Sequence, residues 1–319
     1  EHLCIISTRA AFEHVMAGVE DEWACPSLFE SDGRGGGTEG QANDVLNSQP
    51  LYLVELELNE HRLVVVPREG DDANAVSGYI WPSSMVLARL LSDRWPDVLR
   101  GQDVLELGSG QGVSGMFASK LGAKTVTLTD IGRASLLGLR ANILANFAAE
   151  TDLGSNSVTA EVSWEVASGS LRVRRYLWED DHAALLGEIS PRHWSKDTWA
   201  CSAAGPPKLE DGSLFPVVIA ADVLYFANQV QALSTVLSCR LAVGGFGLLV
   251  LPVRRPAVFS AFVDSLESNG VVLLANEVVM LDSKDKLLLD SGAMHETPNV
   301  SEVRVLRVTR RGPPGPMHS

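Results

Sequence analysis

Apolar residues fall into two alternating patterns between about residues 80 and 270: short continuous runs, and runs with helical spacing. Ahead of them, Leu51–Leu58 alternates apolar and polar positions. His61–Val66 is a short β-branched run that follows Asn59-Glu60, so residues 50–67 predict a β-hairpin. Met85–Leu91 has the apolar spacing of a helix. Val104–Leu107 reads as a buried strand that runs into Gly108-Ser109-Gly110-Gln111-Gly112. A helix is then expected from Val113 to Leu121, opened by Ser114 and stopped near Gly122. A second strand, from Thr125, ends on Asp130, and a Leu- and Ala-rich helix follows over Ser135 to Ala148. Val158–Val166 and Leu171–Leu177 are both strand-like, and one of them should be the third sheet strand. Phe215–Ala221 is a buried strand that ends at Asp222. The helix Gln229–Leu241, stopped at Gly244-Gly245, leads to the strand Phe246–Leu251, and Ala257–Ser268 is one more helix. Val271–Leu281 and Glu302–Thr309 read as the last two strands.

Strands alternating with helices call for an α/β fold with a parallel sheet covered on both faces. The last two strands have no helix between them, so one of them should run antiparallel. Ligands of such sheets sit at the carboxyl ends of the strands. The glycine loop, Asp130, Trp178 and Asp222 all fall at expected carboxyl ends.

The flanks carry weaker signals. Residues 1–49, with the Gly-rich stretch Gly33–Gly40, form a poorly defined extension. Residues 50–311 form the domain, interrupted by a variable insertion at about 180–213 that holds Pro191, Pro206 and Pro207. The Pro/Gly-rich tail, 312–319, is expected to be disordered.

Charge changes the picture of the partner. A net charge of −14 argues against a nucleic-acid substrate, whose phosphates reward clustered Lys and Arg, and suits a polypeptide partner with basic residues better. No apolar run approaches the roughly 20 residues of a membrane span. The four cysteines, Cys4, Cys25, Cys201 and Cys239, lack metal-ligand spacing, so reduced packing thiols and no metal site are expected. With no secretory signal in view, the expected compartment is the cytoplasm, with the nucleus also open to it.

The chemistry concentrates in the glycine loop. Closely spaced glycines at a strand end let a ligand approach bare backbone at the next helix's N-terminus. Asp130, about twenty residues beyond and at the tip of the next strand, suits the two hydroxyls of a ribose. Gly110-x-Gly112-x-x-Gly115 formally matches the dinucleotide fingerprint, which keeps a dinucleotide-dependent oxidoreductase as a rival. Yet the loop reads Glu106-x-Gly108-x-Gly110-x-Gly112, and an acid there would repel a pyrophosphate. S-adenosylmethionine carries no phosphate and bears a sulfonium and an ammonium, so it fits better.

In these residues the chain resembles the class I, seven-strand S-adenosylmethionine-dependent methyltransferases. Within them it resembles methyltransferase family 16, which contains protein-lysine methyltransferases. The resemblance covers roughly residues 78 to 280. It rests on Gly78-Tyr-Ile-Trp81-Pro82, Val104–Gly112, Leu128-Thr-Asp130, Leu139-Arg-Ala-Asn142 with Asn146, and Leu177-Trp178. It rests also on Ala221-Asp222-Val-Leu-Tyr225, and on Arg254-Arg255 with Phe259 and Phe262, matched to a late helix of the family. It implies a Rossmann-like seven-strand sheet with helices on both faces and the last strand antiparallel. It also implies an S-adenosylmethionine site made by Trp81, Glu106, Gly108, Ser109, Gly110, Gly112, Asp130, Trp178 and Ala221. Asp222 and Tyr225 would lie at the substrate entrance as the catalytic pair.

Each of these residues has a plainer reading. Trp81 before Pro82 can be a helix-entry packing residue, Trp178 a core tryptophan at a strand end, and Ala221 a packing alanine. Asp222 can be the N-cap of the helix that follows. Asn142 and Asn146, at i and i+4 on one helix face, are expected to tie that helix to neighbouring loops. His182 and His193 are expected on the solvated surface. The resemblance implies methylation of a lysine side chain in a protein, with protein arginine or histidine as alternatives in the same fold. A cofactor-binding module without turnover is the non-enzymatic rival.

Overall fold

The computed structural model describes residues 4–6, 53–65, 78–131, 133–147, 163–166, 169–186, 208–282 and 301–312. Most of the 1–49 extension, residues 187–207 of the insertion and residues 313–319 of the tail lie outside the described residues.

Three strands open the chain. β1 (Cys4–Ile6) pairs antiparallel with β2 (Leu53–Leu58), which forms the expected hairpin with β3 (His61–Val65). Asn59 turns that hairpin at φ +52°, a left-handed conformation that Asn tolerates better than most residues. Leu56, Leu58, Leu63 and Val65 are buried, so the hairpin's apolar face joins the main core. Helices α1 (Pro82–Arg94) and α2 (Pro96–Leu99) follow, each with proline at its first turn, where the missing N–H costs nothing.

Next come β4 (Asp103–Leu107), α3 (Val113–Lys120), β5 (Thr125–Asp130) and α4 (Arg133–Phe147). After them stand β6 (Ser163–Val166), β7 (Gly169–Arg175) and α5 (Trp178–Leu186). The chain continues through β8 (Phe215–Ala221), α6 (Gln229–Arg240), β9 (Leu241–Leu251) and α7 (Pro256–Ser268). It closes on β10 (Val271–Met280) and β11 (Glu302–Arg310).

The main sheet has the order β10-β11-β9-β8-β4-β5-β7-β6. β7, β5, β4, β8 and β9 are mutually parallel, and β11 inserts antiparallel between β9 and β10. The last strand is therefore antiparallel, as expected. Of the two strand-like segments after Asp130, β7 is the third parallel strand. β6 folds back on it antiparallel as an additional edge to the seven-strand sheet.

Strand alternation sends side chains to two cores. Val104 and Glu106 of β4 face the layer of α1, α3, α4 and the hairpin, while Leu105 and Leu107 face α6 and α7. Two asparagines hold the first layer together. Asn146 accepts from the Val64 N–H and donates to its carbonyl, both at 2.7 Å, and Asn142 donates to the Gln111 carbonyl at 3.1 Å. Both tie α4 to its neighbours, as expected.

Some boundaries differ from expectation for local reasons. β9 starts at Leu241, directly after α6, so Gly244 (φ +72°) lies inside the strand rather than before it. Trp178 is the first residue of a helix, not the end of a strand. His182 is partly buried, with Nδ1 3.1 Å from the Thr235 hydroxyl, because α5 packs against α6.

A buried polar cluster secures α5 to α6. Arg240 Nη2 donates to Asp181 Oδ1 at 2.7 Å, Nε donates to Oδ2 at 2.7 Å, and Nη1 donates to the Glu210 carbonyl at 2.7 Å. The Tyr176 hydroxyl donates to the same carboxylate. Burial, followed by the charge of Asp181, keeps that phenol protonated far above its ordinary range. Arg240→Ala would leave the Asp181 carboxylate without its counter-charge, so it should cost about 3–5 kcal/mol of stability. Urea unfolding that shows a loss under about 1 kcal/mol would contradict a structural role for this pair.

Candidate active site

The glycine loop between β4 and α3 is shaped by backbone that only glycine adopts easily. Gly108, Gly110 and Gly112 have φ of +60°, +51° and +80°. A Cβ on Gly108 would stand 2.8 Å from Val223 Cγ1 and 3.6 Å from Trp178 Cζ2. The residue after Asp222 and the tryptophan of α5 are thus packed against the loop. The loop is pinned to the tip of β5. The Gly110 N–H donates to Asp130 Oδ2 at 3.0 Å, Ser109 Oγ accepts from the Thr129 N–H at 3.0 Å, and the Thr129 hydroxyl donates to the Glu106 carbonyl at 2.6 Å. Asp130 also accepts from the Ile131 N–H at 2.7 Å.

Glu106 is 2% exposed, and its Oε2 has no hydrogen-bond partner among the described residues. A Cβ on Gly115 would collide with Leu128 Cδ2 and lie 2.6 Å from that oxygen, so the third glycine of the fingerprint makes room for the β5 leucine and for the acid. Burial pushes the carboxyl up from 4.5 to about 7. Ser109, Ser114 and the Gly115 backbone pull it back only in part, and the charge of Asp130 adds to the rise.

A second acid lies at the end of β8. Asp222 is 4% exposed and holds φ +54°, a left-handed conformation in which strain is characteristic of functional sites. It does not cap α6, which starts seven residues later with Asn228 at its N-cap position. Instead it accepts a two-pronged ion pair from Arg254, in the loop between β9 and α7, with Nη2 to Oδ2 at 2.8 Å and a second bond from Nη1 to Oδ1. The Ser83 hydroxyl of α1 reaches the same carboxylate at 3.5 Å. Burial pushes Asp222 up, against the pull of Arg254. Burial also works against the Arg254 charge, but its hydrogen bonds to Asp222 win and hold the guanidinium above its ordinary value. The forked geometry keeps a charged guanidinium against the carboxylate.

Aromatic rings wall this pair. The Trp81 and Tyr225 centroids are 6.4 Å apart, and the Arg254 guanidinium carbon lies 4.9 Å from the first and 5.1 Å from the second. Tyr79 extends the row beyond Trp81 at 6.2 Å, and Phe226 extends it beyond Tyr225 at 6.4 Å. The Gln229 carboxamide oxygen accepts from the Tyr225 and Phe226 N–H groups at 2.8 and 3.0 Å, fixing this corner onto α6. Burial, then the charge of Asp222, raises the Tyr225 phenol well above its usual value, so it stays protonated.

The expected residues thus form two adjoining groups at the carboxyl ends of β4, β5 and β8. Glu106, Gly108, Ser109, Gly110, Gly112, Asp130 and Trp178 line the loop, while Trp81, Ala221, Asp222 and Tyr225 gather at the β8 end. Sequence reasoning missed the pairing of Arg254 with Asp222. The Arg254-Arg255 dipeptide was visible as a matching motif assigned to the late helix, but both residues precede α7, whose first residue is Pro256. Among the described residues, no group of His, Cys, Asp and Glu is arranged to hold a metal ion, and no helix is long and apolar enough to cross a membrane.

The sheet order with its antiparallel last strand, and helices on both faces, make this a Rossmann-like seven-strand mixed sheet with one added edge strand, and the glycine loop and the acid at the β5 tip lie at its carboxyl edge. The profile of a family described as "Lysine methyltransferase" matches residues 59–170. The chain is 24% identical over 189 residues to the protein N-terminal and lysine N-methyltransferase EFM7 of Candida glabrata, covering 59% of this chain and 60% of that one. To its counterpart in Schizosaccharomyces pombe it is 25% identical over 167 residues, 52% of this chain and 51% of the other. A shorter match, 45% identical over 51 residues, joins it to the human electron transfer flavoprotein beta subunit lysine methyltransferase, covering 16% of this chain and 19% of that one. The chain spans at most about 60% of the length of these curated relatives.

The raised Glu106 carboxyl carries a pH signature. Its folded-state value of about 7 lies above the 4.5 of the unfolded chain, so the native state keeps a proton that the unfolded chain loses in between. Stability is therefore full below about pH 4.5, falls as pH rises towards 7, and is level above. At 1.36 kcal/mol per unit the fall is roughly 3 kcal/mol. Glu106→Gln, which cannot ionise, should lack this fall. Urea unfolding at pH 5 and pH 8 should show the variant gaining about that much on the wild type, and a parallel response of the two proteins would refute the assignment.

Proposed function

We propose that this chain is a protein methyltransferase that moves a methyl group from S-adenosylmethionine to a lysine side chain. The observation that carries the reading is the buried, unpartnered oxygen of Glu106 beside a glycine loop, next to an acid-and-aromatic site at the β8 end. An orphaned carboxylate oxygen suits a cofactor that brings positive charge and no phosphate, which disfavours a dinucleotide. When bound, S-adenosylmethionine supplies an electrophilic methyl group on a sulfonium.

The chain's own residues divide the remaining work. Asp130, at the tip of β5 beside the loop, would accept from the ribose hydroxyls. Gly108, Gly110 and Gly112 expose backbone for close approach, and Ser109 locks the loop to β5. Trp178 would wall the adenine, the Ala221 backbone would lie against the cofactor, and Trp81 would stand beside its methionine part. A lysine ammonium, near pKa 10.4 in water, has to lose a proton before it can attack. A dry, ring-lined site favours the neutral amine, and Asp222 with Tyr225 would orient it. A carboxylate is a weak base for that proton, so alignment and desolvation carry most of the task. The names of the curated relatives favour lysine over arginine or histidine, and the chain's negative charge suits a basic polypeptide.

Asp130→Ala should weaken S-adenosylmethionine binding by about 1–3 kcal/mol in calorimetry. Unchanged affinity in a folded variant would remove Asp130 from the site. Asp222→Asn should keep cofactor affinity near that of the wild type while methyl transfer falls steeply. Turnover at the wild-type rate would take Asp222 out of the chemistry. Cell extract incubated with the chain and labelled cofactor should yield methylated lysine by mass spectrometry. Label found only on arginine, histidine or RNA would overturn the acceptor.

A further inference from the structure

We propose that Asp222, Trp81 and Tyr225 form a binding cage for an alkylammonium side chain, and that Arg254 is the cage's resident cation, which an incoming acceptor must displace. The identity of the acceptor rests on the function proposed above; the cage itself does not.

Three features converge on the cage. Its floor is a buried carboxylate, and its walls are two rings whose planes meet at 59°, with the guanidinium about 5 Å from each centroid. A carboxylate with two aromatic faces around one small volume is the chemistry that recognises ammonium and methylated ammonium groups. The position is filled by a side chain from a connecting loop: Arg254 belongs to neither β9 nor α7, and its N–H turns back onto the Pro252 carbonyl at 3.1 Å. The exit is also marked. Arg255 lies over the ring of Phe226 at 5.2 Å, and Phe226 is 54% exposed, so the row of rings runs from the cage to the surface.

The exchange has a simple electrostatic logic. An unpaired carboxylate at this depth is costly, so a cation beside it stabilises the cage. One cation can replace another without ever leaving Asp222 bare, whereas a neutral side chain cannot displace Arg254 on these terms. Arg254 binds through two parallel hydrogen bonds and is tethered, which an ammonium cannot match alone. The acceptor must therefore supply further contacts, and an isolated basic side chain is refused. Arg254 would act as a selectivity gate as well as a counter-ion.

The test uses the full chain without cofactor and takes n-butylammonium as the side-chain probe, with binding followed by calorimetry. Arg254→Ala should bind the probe about tenfold more tightly than the wild type. Methylguanidinium, the excised end of arginine, should raise the unfolding temperature of Arg254→Ala but not of the wild type, and should compete with the probe. Adding Trp81→Ala to Arg254→Ala should abolish the gain. A variant that unfolds cooperatively yet binds the probe no better than the wild type would overturn the proposal, as would a gain that survives Trp81→Ala. If Arg254→Ala does not fold, Arg254→Lys keeps the charge and loses the fork. It should then show a gain of roughly threefold, and no gain would overturn the proposal. Failure of the wild type to bind S-adenosylmethionine would sink the proposed function alone, since these titrations contain no cofactor.

Discussion

A carboxylate removed from water must find a counter-charge or keep its proton, and two acids at the carboxyl edge of this sheet meet that demand with different partners. Asp222 meets a forked arginine from the loop after β9, whose charge opposes the rise that burial imposes. Glu106, equally buried, has no cation beside it among the described residues and is pushed towards neutrality. The two lie on adjacent parallel strands, β8 and β4, so the fold places a neutral-leaning acid and an ion pair side by side. The organisation of the candidate site follows from this contrast.

The rest of the scaffold exists to make those two environments possible. Leu105 and Leu107 on one face of β4, and Val104 on the other, exclude water from both sides of the strand that carries Glu106. The hairpin seals the α3–α4 layer through the paired bonds of Asn146 to Val64. The Arg240–Asp181 pair seals the opposite layer. Glycines are spent where the backbone is crowded: Gly115 makes room for the Glu106 carboxylate, and Gly108 for Val223 and Trp178. These positions need the absence of a side chain as much as the acids need their partners.

Arg254 alters the reading of the β8 end. From local sequence, an acid at the end of a buried strand before a helix is a reasonable helix cap. The capping alternative fails because the chain leaves Asp222 in a left-handed turn and α6 begins only at Gln229. The cation that meets Asp222 comes from thirty-two residues further along, across the β8–β9 neighbourhood, and the distant ring of Trp81 closes around it with that of Tyr225. A pairing of this kind has no local signature.

Much of the architecture was legible in the linear pattern. Alternation of apolar runs and helical spacings is a direct consequence of strands buried on both faces, so the parallel sheet, its antiparallel last strand and the opening hairpin could be read residue by residue. The spacing from Glu106 through Gly112 to Asp130 was legible as well, because loop and strand tip are neighbours in both sequence and space. The tertiary structure alone decided whatever depends on contacts between distant segments. It chose β7 over β6 as the third parallel strand, made Trp178 the start of a helix, and left one oxygen of Glu106 unpartnered. It also brought Arg254 onto Asp222 between Trp81 and Tyr225. Burial and charge pairing are properties of three-dimensional neighbourhoods, and a one-dimensional pattern records which residues are available for them but not which of them meet.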